Sequence, residues 1–176
     1  MPRFLTTLYE TPHNSQSMIL LQGRRLMEAI HFMHGKGIVH MDIKSDNIFI
    51  DADSSWVLGD FGSSRIIGTN ITSSNLLHYV RFNLGNAEPK YDWFMLLLVL
   101  LKETLEIKNT WLEILCGDDE KYDAELIHRY ILNYEVGSPL QSLFLELKDL
   151  SENCMEKSES VNDCSDCTSG SIALEK

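Results

Sequence analysis

At 176 residues the chain has room for one domain, with or without a tail, and a composition of 44% hydrophobic and 23% charged residues excludes global disorder. A net charge of −11 argues against nucleic acid or an anionic membrane surface as the main partner, and leaves room for a basic protein substrate on an acidic face. Met1-Pro2-Arg3-Phe4 leads into polar sequence, so no secretory leader is expected; the longest apolar run, Trp93 to Leu101, has nine residues, where a membrane span needs about 18.

Residues 1–16 read as irregular, with Pro2 and Pro12 in polar surroundings. A helix is predicted from Ser15 or Ser17 to about His34, with Leu20, Met27, Ile30 and Met33 on one face and Gly35 and Gly37 ending it. Ile38-Val39 is a short strand. Asn47 to Ile50 and Trp56 to Leu58 read as a strand pair around the turn-forming Asp51-Ala-Asp-Ser-Ser55. Ser63 to Asn75 is polar and contains Gly68, the composition of a mobile loop. Asp92 opens an apolar helix to about Leu105, and further helices are predicted near 110–116, 122–134 and 139–150. From Ser151 the chain turns to Ser, Asp, Glu and Cys, so 1–150 is expected as the folded unit and 151–176 as a disordered acidic tail. The fold class is therefore mainly α with a small antiparallel β-ribbon.

Of the four cysteines, at 116, 154, 164 and 167, three fall in that tail, which suits a reducing compartment. Cys164-x-x-Cys167 lacks the second close pair and the histidine that a structural zinc site wants, so the tail is read as reduced and metal-free. Asn70-Ile-Thr72 fits the glycosylation pattern and is expected to be idle without a leader.

Two motifs carry chemistry. His40-Met41-Asp42-Ile43-Lys44-Ser45-Asp46-Asn47 reads H-x-D-x-K-x-x-N, and Asp60-Phe61-Gly62 follows Asn47 by thirteen residues. An isolated Asp-Phe-Gly is usually a turn, and an isolated Asp-x-Lys usually a surface ion pair. Their joint order on a helix–loop–strand–turn–strand–loop frame resembles the catalytic loop and metal-binding loop of eukaryotic protein kinases.

The resemblance implies a protein-kinase-like large C-terminal lobe (α+β) and phosphoryl transfer, which is chiefly a matter of positioning and charge neutralisation. By that resemblance Asp42 would accept or orient the substrate hydroxyl proton, and Lys44 would reach the transferring phosphate. Asn47 and Asp60 would hold Mg2+ through oxygen, and Lys44, Asn47 and Asp60 together would bind ATP. His40 and Phe61 would pack under the site, and Asp92 would brace the loop backbone. Lys44 two residues after Asp42 resembles the serine/threonine type. The implied function is a protein serine/threonine kinase with a protein substrate, no nucleic-acid or membrane partner, and a cytoplasmic or nuclear location. The alternative is a catalytically inactive kinase-like binding or scaffold module; a third reading is a decaying remnant with no function.

Four departures from the family pattern stand out. The chain shows no glycine-rich loop, phosphate-pairing lysine or helix glutamate, and Met1 to Leu5 resembles the hinge, so a truncated domain holding the large lobe alone is expected. Met41 replaces the arginine that pairs with a phosphorylated activation segment, so phosphorylation of Thr69, Thr72, Ser73 or Ser74 is not expected to switch activity. Arg81-Phe82-Asn83 stands where Ala-Pro-Glu is usual, with Tyr79 as the anchor for that placement. After Leu105 the helices carry no family motif.

Overall fold

The computed structural model describes residues 6–11, 14–71, 85–105, 110–117 and 121–155, without the side chains of 111, 112 and 152–155. The elements run β1 (Thr6–Thr7), α1 (Gln16–Gly35), β2 (Ile38–Val39), β3 (Ile48–Ile50), β4 (Trp56–Leu58), β5 (Arg65–Ile66), α2 (Pro89–Glu103), α3 (Trp111–Leu115), α4 (Ala124–Asn133) and α5 (Pro139–Met155). It is mostly helical, as expected, with two small antiparallel sheets where one ribbon was expected.

The core is built around α2. Pro89 stands in its first turn, where a missing N–H costs nothing. Every residue from Tyr91 to Leu101 is buried, so the helix has no solvent face and must be wrapped by others. Helix α5 covers one side with Leu140, Leu143, Phe144 and Leu147, and α1 covers another. Each fully buried Leu or Phe contributes about 1.5–3 kcal/mol by leaving water. Gly23 of α1 lets the three helices close up: a Cβ there would lie 2.9 Å from Leu100 Cδ1 and 3.2 Å from Leu143 Cδ2.

Helix α1 begins at Ser15, whose hydroxyl accepts the Met18 N–H at 3.3 Å, and ends where Gly37, at φ 78°, donates to the His34 carbonyl. Its buried face is Ile19, Gln22, Gly23, Leu26, Met27 and Ile30. Leu20 and Met33, predicted for that face, lie at its margin, half-buried against the core. No helix of the described residues is long and apolar enough to cross a membrane.

The first sheet has the order β1-β3-β4, with Ile48 opposite Leu58 and Ile50 opposite Trp56 and Thr6. Asp51 Oδ1 closes the turn by accepting from the N–H groups of Asp53 and Ser55. The second sheet pairs β2 with β5, Val39 opposite Arg65. Strands β1 and β5 correct the expected irregular start and mobile loop. Two-residue strands are too short to show a period, and the partner strand decides them. The loop after β5 is also tied down as far as Ile71: Gly68 donates to Ala87, Ala87 to Thr69 and Ile71 to Gly85. Helix α5 runs to Met155, five residues into the stretch expected to be disordered. Residues 156–176, and with them the rest of that tail, lie outside the described residues.

Candidate active site

Between β2 and β3 the chain makes the loop 40–47, and one buried carboxylate on α2 holds its backbone. Asp92, fully buried, accepts the His40 N–H on Oδ2 at 2.8 Å and the Met41 N–H on Oδ1 at 2.9 Å. Met41 has φ 67°, a left-handed conformation that costs a non-glycine residue free energy. The two bonds to Asp92 hold it there, and the Met41 side chain is buried in the core. Asp92 Oδ2 also takes the ring Nε2–H of His34, from the last turn of α1, at 2.8 Å.

The twist at Met41 presents Asp42, whose Oδ2 lies 3.0 Å from Lys44 Nζ and 2.9 Å from Asn47 Nδ2. Asn47 Nδ2 also donates to the Asp42 carbonyl at 2.8 Å. Three of the four predicted site residues thus meet at one carboxylate oxygen. Asp42 and Asn47 are buried, where a hydrogen bond to a charged group is worth more than in water, while Lys44 is half-exposed.

Asp60 comes to the same neighbourhood through the backbone. The Gly59 N–H donates to the Asn47 carbonyl at 2.9 Å, and the Gly59 carbonyl accepts from His40 Nε2 at 3.0 Å. His40 Nδ1 accepts the Asp42 N–H at 3.3 Å, so the Nε2–H tautomer satisfies both contacts. A Cβ on Gly59 would stand 2.6 Å from the Phe49 ring, so only glycine fits where the two loops cross. Asp60 itself is exposed and left-handed at φ 56°, with Oδ1 accepting the Gly62 N–H at 3.3 Å.

The donor set suits a hard cation. Both Nδ2 contacts of Asn47 go to Asp42, which leaves its amide oxygen as the acceptor for a metal, and the Asp60 carboxylate is at the surface. Magnesium is usually held by one or two carboxylates with waters and substrate phosphates completing its shell, not by an all-protein cage. Accordingly, no group of three or more His, Cys, Asp or Glu gathers as a metal cage among the described residues.

The protein kinase domain family matches residues 7–82, which contain α1, the whole loop and Asp60. Over that stretch the chain is similar to a protein kinase domain. The serine/threonine-protein kinase STE20 of Eremothecium gossypii is 36% identical over 64 residues, covering 36% of this chain and 7% of that protein. The serine/threonine-protein kinase US3 of human herpesvirus 2 is 51% identical over 44 residues, 25% of this chain and 9% of its own. Human serine/threonine-protein kinase MRCK gamma is 29% identical over 122 residues, reaching 61% of this chain and 7% of its own length. The chain therefore spans less than a tenth of each of these relatives.

Around the loop, two features differ from expectation or escaped it. Phe61, expected to pack under the site, is 53% exposed, with its ring beside that of His40, centroids 5.1 Å apart. His34 was not singled out, because a histidine in the last turn of a helix reads as a favourable charge at the dipole's negative end. Thr72, Ser73, Ser74, Tyr79, Arg81-Phe82-Asn83, Cys164 and Cys167 lie outside the described residues, as does the Cys154 side chain.

Proposed function

We propose that this chain carries the catalytic loop of an ATP-dependent protein serine/threonine kinase. The observation that carries the reading is the Asp42 carboxylate, fixed by Lys44 and Asn47 in a loop whose backbone Asp92 clamps. In that role Asp42 orients the substrate hydroxyl and takes its proton as the oxygen bonds to the γ-phosphorus. The bond to the β-phosphate oxygen breaks and ADP leaves. Lys44 neutralises charge on the transferring group. Asn47 and Asp60 would hold Mg2+, which when bound would supply further charge neutralisation. Similarity to serine/threonine-protein kinases, together with Lys44, favours serine or threonine as acceptor. The buried, apolar Met41 gives a phosphorylated activation segment no arginine to pair with, which supports reading the exposed Thr69 as no switch. A reducing cytoplasmic or nuclear compartment suits the cysteine usage.

The test is Mg2+-dependent ATP binding by the purified chain, measured calorimetrically beside Asp60→Ala. Saturable binding that needs Mg2+ and falls at least tenfold in the variant is the expected result. A folded chain that binds no nucleotide would overturn the reading for this chain and favour the scaffold alternative.

A further inference from the structure

We propose that the groove between α3 and α4 docks an arginine-bearing segment of a partner protein. The groove has a volume of about 600 Å3, within the range that binding sites occupy. Its floor is Ile114 of α3, Leu126 and Tyr130 of α4, and Tyr134 just beyond, all half-buried. The two tyrosine rings stand 6.0 Å apart at 36°. Each is anchored: the Tyr130 and Thr104 hydroxyls share a hydrogen bond of 2.9 Å, and Tyr134 packs edge-on to Phe144, centroids 5.4 Å apart. Anchored aromatic faces lose little entropy on binding, and they attract a guanidinium, which is planar and stacks on them. None of the lining residues belongs to the loop 40–47, so the surface does not depend on reading that loop as catalytic.

Charge sets the sign of the occupant. Glu113 and Glu135 stand exposed on the rim, Glu135 also accepting from Gln16. The last turn of α4 lines the groove too, at the negative end of its dipole. Glu135 lies close enough to Tyr134 to add to burial in pushing that hydroxyl up to about 12. Arg129 is on the rim as well, which leaves one negative charge in excess. A second copy of this chain would bring a net charge of −11, and residues 156–176 carry five acidic side chains against two basic ones. Both are repelled where a basic segment is attracted. The eight described residues that line the groove are also far fewer than the roughly 20–30 a side of a stable subunit contact, so the occupant is a segment and not a folded face.

The test titrates the full chain with a fluorescein-labelled peptide of alternating arginine and glycine, at about 0.15 M salt to screen distant charges. Anisotropy reads the affinity, and NMR follows the ring protons of Tyr130 and Tyr134. Saturable binding that shifts both sets of ring protons is the expected result. Glu113→Gln combined with Glu135→Gln should weaken it about tenfold. Both positions are exposed, so the packed floor stays intact. Arg129→Gln removes the opposing cation and should tighten binding. Glu28→Gln combined with Asp53→Asn makes the same charge change at exposed positions elsewhere, and should leave affinity within about twofold. Equal weakening by the two pairs overturns the proposal, because net charge alone would then govern. So does equal affinity for the peptide with glutamate in place of arginine, binding that leaves both rings unmoved, or a folded chain that does not bind. All of these readouts are taken without nucleotide, so the docking surface and the kinase reading stand or fall separately.

Discussion

Asp92 takes hydrogen bonds from His34, His40 and Met41, and two of those donors are backbone N–H groups with no water within reach. Asp92→Ala strands both, at about 1–3 kcal/mol each, and so should lower the unfolding free energy by about 2–6 kcal/mol in urea melts. Asp92→Asn keeps one acceptor oxygen but turns an amide hydrogen on one of the N–H groups, so its loss should be smaller. Equal stability of all three chains would refute the clamp. Asp42 differs in that its partners, Lys44 and Asn47, come from its own loop. That difference explains what could be read beforehand. Asp42, Lys44 and Asn47 are legible because their chemistry is confined to eight consecutive residues. The pairing of His34 with Asp92 joins positions 58 apart and leaves no local trace. Gly59 was equally silent, since its need for glycine comes from the Phe49 ring ten residues earlier.

Among the elements, α1 and α2 were placed within a few residues by caps and apolar content, whereas β1 and β5 depended on partners that no local pattern names. The contact that organises the helices is at Gly23. Alanine there gains about 1 kcal/mol of helix propensity but pushes a methyl against the ends of Leu100 and Leu143, so the two effects oppose. Valine removes the ambiguity, because its branches need space that the close approach of α1 to α2 and α5 does not provide. Gly23→Val should destabilise the chain by about 1–3 kcal/mol, read as a lower urea midpoint with an unchanged slope. A midpoint equal to wild type would mean the helices are not in contact there.

For the whole molecule, pH gives a signature with a definite sign. Burial pushes the Lys102 amine down from 10.5 to about 8, opposed by the charges of Cys116 and Asp46. Its pKa is thus lower folded than unfolded. Below pH 8 both states hold the proton and the cost of burying the charge is present throughout. Between about 8 and 10.5 only the unfolded state holds it, so this residue makes stability rise with pH. Tyr134 acts oppositely and higher up: burial first, then the charge of Glu135, raises it from 10.0 to about 12, so its contribution is lost between 10 and 12. Urea midpoints between pH 7.5 and 10 should therefore climb in the wild type relative to Lys102→Met, and identical pH dependences would contradict the assignment. The charge of −11 was visible from composition, but which lysine is half-hidden is decided by α2 packing beside Tyr122, whose ring lies 5.4 Å from Nζ.

The carboxylate that shapes the loop stands 52 and 51 positions downstream of the two amides it holds. A ribosome therefore finishes the His40–Asn47 motif long before it makes the residue that gives the motif its form. A nascent chain halted short of Asp92 contains every letter of the motif and none of its geometry. The order of synthesis thus keeps the loop 40–47 unassembled until the helix at the centre of the core has arrived, and assembly of the candidate site becomes one event with closure of the fold.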